Sequence, residues 1–196
     1  MEKKTVNFTE ITPDYVLSFT KPTDHFLCPL SANIYNIQFL SFKIRDFETN
    51  QVLFSIEKDP TEEELKVEDT DLNEEDYRTV RYHFGPNFFK LKKVGTNLTF
   101  SVGEKPVKNF RMIERHYYKD QLIQNFDFNF PFCMPKTTNS WESIYSVPDL
   151  SQELIENMMR HPWLTKSDSF YFVGKELVMH NKAEYNFSET LEENGK

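Results

Sequence analysis

Five glycines in 196 residues leave almost no material for a glycine-rich phosphate loop. The two cysteines, Cys28 and Cys133, form no C-x-x-C pair and are too few for a secreted disulfide framework, so reduced thiols are expected. No stretch approaches the roughly 18 consecutive apolar residues of a membrane span, and Met1 to Glu10 carries charges but no apolar signal core. The expectation is a soluble, cytoplasmic protein and not an integral membrane one. A net positive charge is lacking as well. The formal net charge is −8, and no basic stripe, RNP-like run or zinc-finger spacing is present, which argues against a nucleic-acid partner. His25, His83, His116, His161 and His180 show no metal-ligand spacing, so neither a metal nor a cofactor is expected. Ser169 can be drawn into a triad with a Glu and a His, but no G-x-S-x-G elbow presents a nucleophile, and the chain reads as a non-enzyme.

What the chain has in abundance is Phe (19) and Tyr (9). The run F-D-F-N-F-P-F sets Phe126, Phe128, Phe130 and Phe132 on alternate positions. In a strand that spacing lines a single face with aromatic rings. Such faces either pack against each other as a core or surround a lipophilic ligand.

The length suits one domain, an all-β sandwich. Residues 1–32, with Pro13, Pro22 and Pro29 and no clear period, read as a partly ordered N-terminal arm, residues 33–188 as the sandwich, and residues 189–196 as a tail. Between Glu57 and Asp76 eleven acids face two lysines, a net −9 that reads as a solvated mobile loop. Strand patterns follow one another from Ile34. In Ile34–Arg45, Ile37 and Phe39 share one parity and Phe42 and Ile44 the other, the signature of a β-bulge. Further strands are expected at Val52–Ile56, around Val80–Phe84 and Leu98–Val102, at Phe110–Tyr118, Gln121–Phe132, Ser169–Val173 and Glu176–His180, the last two joined by a tight turn at Gly174-Lys175. One short amphipathic helix interrupts them at Ser151–Arg160, with Ser151 as cap and Pro162 as stop.

The strand F-R-M-I-E-R-H-Y-Y divides by parity into Phe110, Met112, Glu114, His116 and Tyr118 on one face and Arg111, Ile113, Arg115 and Tyr117 on the other. If the arginines mark the solvent side, Glu114 points inward among apolar side chains and needs a partner. Two readings stand: a polar anchor at the mouth of an apolar cavity, or a wet carboxylate at an open end of the sandwich.

The motifs F-K-I-R-D (Phe42–Asp46), V-R-Y (Val80–Tyr82), N-F-R-M-I-E-R-H-Y (Asn109–Tyr117), F-D-F-N-F followed by F-C-x-P, L-x-x-x-M-x-R-H-P ending at Pro162, S-D-S-F-Y-F-V (Ser167–Val173) and V-M-H-N-K-A (Val178–Ala183) together resemble the Unc-type lipid-binding trafficking chaperones. These form a branch of the family that includes the delta subunit of GMP phosphodiesterase. The resemblance covers about Pro13 to Phe187. It implies an immunoglobulin-like β-sandwich, similar to the Rho GDP-dissociation inhibitors, that holds the N-terminal myristoyl or other acyl group of cargo proteins between its sheets. It implies a monomer that carries cargo to membranes such as those of cilia, with release by a GTP-bound Arf-like small GTPase. The family's polar contacts to the acylated glycine map onto Tyr82, Glu114, Ser169 and Tyr171, and its apolar lining onto Phe42, Ile44, Phe88, Val94, Phe126, Phe128, Ile144 and Tyr185. Val147 stands where relatives carry an aromatic residue, which implies a changed pocket. The alternatives are a prenyl-binding factor of the same fold and a non-lipid immunoglobulin-like adaptor whose aromatic faces close on each other.

Overall fold

The computed structural model describes residues 7–59 and 77–189. Most of the acidic segment therefore lies outside the described residues, as does the tail beyond residue 189. Nine strands, β1 (Gln38–Asp46), β2 (Val52–Glu57), β3 (Thr79–His83), β4 (Lys93–Ser101), β5 (Val107–Tyr118), β6 (Gln121–Cys133), β7 (Thr138–Ser146), β8 (Thr165–Val173) and β9 (Glu176–Asn186), form two facing sheets among the described residues. The order is β2-β1-β4-β7 in one sheet and β3-β9-β8-β5-β6 in the other. All neighbours are antiparallel except β3 and β9, which run parallel. The described residues thus form an all-β sandwich of the immunoglobulin-like kind, with the short helices α1 (Pro13–Leu17) and α2 (Gln152–Arg160) set beside it.

Local chemistry accounts for the joints. The register of β1 against β4 slips between Phe39 and Ser41, which is the bulge that the phase change announces. Gly174 sits at φ +63 in a two-residue turn between the paired Val173 and Glu176, a conformation that favours glycine. At α2 the Ser151 hydroxyl accepts the Leu154 N–H at 3.3 Å, and Arg160 lies in the last turn, where its charge suits the helix dipole. Helix α1 starts from Thr12, whose hydroxyl accepts the Tyr15 N–H, with Pro13 opening the first turn. At five residues it is too short to leave a periodic trace in the sequence.

Three expectations need correction. β7 carries no strand signature, because T-N-S-W-E-S-I-Y-S is mostly small and polar; only Trp141, Ser143 and Tyr145 turn inward. Phe132 does not share the face of Phe126, Phe128 and Phe130. Asn109 in β5 adopts φ +54, which brings Val107 and Phe110, three residues apart, to the same side, and the opposing end of β6 rotates with it. Phe132 is left 48% exposed while Cys133 is buried. Third, the arginine face of β5 is not the solvent side. Ile11, Val16, Cys28 and Ala32 pack on Ile113, Phe170, Phe172 and Leu177, covering the outer face of the five-stranded sheet. Arg115 is only 4% exposed and hydrogen-bonds the Phe19 carbonyl at 2.6 Å and Asn125 Oδ1 at 2.8 Å.

Between the sheets the interior has two halves. At the end where β4 finishes and β5 starts, Phe100, Phe110, Trp141, Val102 and Val107 fill the space; the Phe110 ring lies 5.4 Å from Phe100 and 5.5 Å from Trp141. At the opposite end the sheets enclose a cavity.

Candidate functional site

The cavity offers about 120 Å³ to the centres of water-sized spheres, a narrow hollow that opens to solvent at one side. Every layer contributes to its wall: Phe42 and Ile44 from β1, Tyr82 from β3, Val94 from β4, Tyr185 from β9, and Met158 from α2, which closes one end. Aromatic contact holds the wall in shape. Tyr82 stacks on Phe84 at 5.4 Å, Phe84 on Phe88 at 4.8 Å, and Phe54 meets Tyr82 edge-on at 4.8 Å from the other sheet.

The main charge on this wall is Glu114, whose side chain is 12% exposed. Its Oε1 lies 2.9 Å from His116 Nε2, and its Oε2 accepts the Tyr145 hydroxyl at 2.8 Å. A buried carboxylate needs such partners, and each oxygen retains capacity for a further donor. Four phenols surround it. Burial first, and the Glu114 charge second, push Tyr82, Tyr145, Tyr171 and Tyr185 above the ordinary tyrosine range. They remain neutral donors at every ordinary pH. A carboxylate acceptor at the edge of an apolar hollow, with Tyr82 on the same wall, is suited to an amide: the first takes its N–H, the phenol its carbonyl.

Of the twelve residues singled out in the sequence, Phe42, Ile44, Tyr82, Phe88, Val94, Glu114, Phe126 and Tyr185 meet on the cavity wall. Four lie elsewhere. Ser169 is directly across from Glu114 in the β5–β8 register, on the same inner face but off the wall. Tyr171, across from Met112, packs on Phe39 and Phe110 in the filled half. Phe128 lies parallel to Phe126 at 6.1 Å, one step toward that half. Ile144 is a correction: it is 44% exposed on the outer face of β7, because Ser143 and Tyr145 on either side of it take the inward positions.

Tyr145, the residue that bonds Glu114, escaped the sequence reading together with its strand. Phe84, Phe89, Phe187, Met158 and Thr165 also line the cavity, and Val147 joins them. No helix among the described residues is long and apolar enough to cross a membrane.

Comparison with known proteins bears directly on this arrangement. Residues 31–187 match the family described as GMP-PDE, delta subunit. The chain is 48% identical to Protein unc-119 homolog B-B of Xenopus laevis over 187 residues, covering 95% of this chain and 78% of that one. It is 52% identical to Protein unc-119 of Caenorhabditis elegans over 180 residues, covering 91% and 80%. With Protein unc-119 homolog B of Homo sapiens the identity is 45% over 190 residues, covering 95% and 76%. An aromatic-walled sandwich with this sequence kinship belongs to the GMP-PDE delta-subunit family, on its unc-119 side, whose members are lipid-binding trafficking chaperones and not enzymes.

Proposed function

We propose that the protein takes up the N-terminal myristoyl or other acyl group of cargo proteins, keeps it out of water in the cavity and yields it to a GTP-bound Arf-like small GTPase at a target membrane, that of a cilium included. The observation that carries the reading is the position of Glu114 and its phenols beside an otherwise apolar hollow. An acyl chain leaving a bilayer loses about 0.8 kcal/mol per methylene unless it is buried again, so the receiving wall has to be about as apolar as lipid. Apolar contact alone does not distinguish an acyl from a prenyl chain. Discrimination falls to the polar groups, and Tyr82, Glu114, Ser169 and Tyr171 are assigned the acylated glycine and the backbone next to it.

Release follows from differential binding. A GTPase that docks only on a narrowed sandwich lowers cargo affinity by the ratio of its own affinities for the two forms.

Fluorescence-anisotropy titration of a labelled N-myristoyl-glycyl peptide, beside its unacylated and C-terminally farnesylated counterparts, tests the first half. The acylated peptide alone binds tightly, and Glu114→Ala weakens it. Equal indifference to all three peptides overturns the reading; preference for the farnesylated peptide replaces it with the prenyl alternative.

A further inference from the structure

The end of the sandwich away from the cavity gathers turns from both sheets. β1, β5, β7 and β9 begin there and β4, β6 and β8 end there, because Ser101 pairs with Gln38 and Thr138, Val107 with Cys133, and Val173 with Phe110 and Glu176. Gly103 is the hub of this end. Its N–H donates to the Tyr35 carbonyl at 2.9 Å, and its own carbonyl accepts the Lys136 N–H at 2.8 Å. The segment before β1, the β4–β5 turn and the β6–β7 turn therefore meet within a few residues of one glycine.

Large apolar side chains are left in water on these turns. Met134 is 61% exposed and Ile34 54%, beside the half-exposed Phe132. One such residue alone is ordinary on a protein surface; three on adjoining turns mark a contact surface. Pro131 and Pro135 bracket Phe132 and Met134 and restrict the backbone that carries them, so little freedom is lost when they are immobilised.

Charge gathers at the same end. Residues 30–37, 102–108, 131–137 and 174–176 hold four lysines against two glutamates, a local +2 in a chain of net −8. Lys136 is paired with Glu104 at 3.0 Å, whereas Lys105 and Lys108 are exposed and form no ion pair among the described residues. Lys108 stands across from Phe132 in the β5–β6 ladder, so a cation flanks the exposed ring. The acidic stretch leaves the sandwich after Glu57 on β2, which is three strand spacings, or about 14 Å, from β7 in its sheet.

We propose that this end docks on an anionic lipid bilayer, with Phe132, Met134 and Ile34 entering the headgroup region and Lys105 and Lys108 meeting the phosphates and carboxylates of the lipids. Apolar tips bordered by lysines suit that interface, which rewards buried apolar area and positive charge together. A protein partner would have to present a pocket shaped to several separate turns, whereas a fluid surface conforms to them. The inference does not rest on the acyl-carrier reading, since the cavity lies at the other end. Docked in this way, the protein turns its hollow away from the bilayer, and membrane lipid does not compete for it.

The test is cosedimentation with vesicles of phosphatidylcholine, alone or with about 30% phosphatidylserine, for the wild type, a Phe132→Ser, Met134→Ser double variant, a Lys105→Gln, Lys108→Gln double variant and Val52→Ser. Val52 is an exposed apolar residue on β2 and serves as the control. The wild type binds the anionic vesicles more tightly than the neutral ones, and less so as salt rises. Loss of Phe132 and Met134 weakens this binding by at least about tenfold. Loss of the two lysines weakens it by roughly thirtyfold on anionic vesicles, about fivefold for each, and leaves binding to neutral ones unchanged. Val52→Ser binds as the wild type does. All four proteins keep the same thermal midpoint and the same affinity for acylated peptide, whatever that affinity is. No binding of the wild type to anionic vesicles overturns the inference and leaves the patch to a protein partner. Equal binding to both kinds of vesicle, or losses in Val52→Ser that match those of the double variants, overturn it as well.

Discussion

Tyr145 and Glu114 join the two sheets by a hydrogen bond of 2.8 Å, the phenol reaching from β7 to a carboxylate on β5. The pair spans the interior where the filled half gives way to the hollow, so it acts on both stability and ligand recognition.

Removing the donor separates the two effects. Tyr145→Phe leaves the ring and its edge-on contact with Phe126 at 4.5 Å but takes one partner from a buried carboxylate, a change worth about 1–3 kcal/mol. Urea titration should show a lower midpoint with an unchanged slope. Glu114→Gln keeps a polar side chain of similar size but no charge, and should weaken acylated-peptide binding by at least about tenfold, the loss of a charge-assisted hydrogen bond. Affinity equal to wild type in Glu114→Gln would show that the carboxylate does not face the ligand.

The two halves of the interior should answer differently to truncation. Phe110 is fully buried against Phe100, Trp141 and Tyr171, and Phe110→Ala should cost about 3–5 kcal/mol of stability. Phe88→Ala, on the cavity wall, creates less new empty space because the hollow is already there, so about 1–2 kcal/mol is expected, with a larger share of its effect falling on ligand affinity. Thermal or chemical denaturation beside peptide titration separates the two; equal stability losses would contradict the division.

On the opposite side of the five-stranded sheet, Asp168 fastens the N-terminal segment. Its carboxylate accepts the Thr23 N–H at 2.8 Å and the Thr23 hydroxyl at 3.0 Å, and pairs with Lys182 at 2.9 Å. Burial alone would raise its pKa, but His180 and Lys182 outweigh burial and hold it below the ordinary carboxylate range. Asp168→Asn leaves Lys182 without its counter-charge and should destabilise by about 3 kcal/mol. Hydrogen exchange should then quicken across residues 8–32 ahead of the strands; uniform quickening would mean that the segment and the sheet open as one unit.

Acid should loosen the same contact. Burial pushes His180 below its usual pKa of 6.5 despite the adjacent Asp168, with Arg78 and Lys182 adding to the depression. In the neutral ring Nδ1 accepts the Leu27 N–H at 3.0 Å, and Nε2 lies 3.1 Å from Asp168 Oδ1. The unfolded chain takes up this proton first, so the contribution is complete above about pH 6.5 and declines as pH falls toward the depressed folded value. Asp168 adds a further loss in the same direction at lower pH, below the ordinary carboxylate value. The urea midpoint should fall between pH 7.5 and 5.5, and His180→Asn should flatten that slope. A wild-type midpoint that holds level across this window would contradict the assignment.

Much of this is legible in the sequence. The two parities of Ile37 with Phe39 and Phe42 with Ile44 mark the bulge of β1, and the alternation around Glu114 groups it with Phe110 and Met112, because in a strand parity is geometry, although the arginines opposite do not mark solvent. What stayed hidden was decided by partners distant in sequence. Arg115 reads as a surface residue until Phe19 covers it, nearly a hundred positions away. Ile144 and Tyr145 differ only in which face of β7 they take, and a strand written in Ser, Thr, Asn and Glu does not announce its faces. Phe132 is turned outward by the backbone of Asn109, a residue on another strand.

Packing one end of the sandwich solid and leaving the other hollow gives the molecule a fulcrum. With the sheets riveted together by Phe100, Phe110 and Trp141, any parting of them is a lever motion whose reach grows with distance from the rivet. A small tilt there becomes a wide gap at the α2 end. Were the sheets to part, the riveted half would keep its register while the gap widened toward α2, so access to the hollow would not require unfolding.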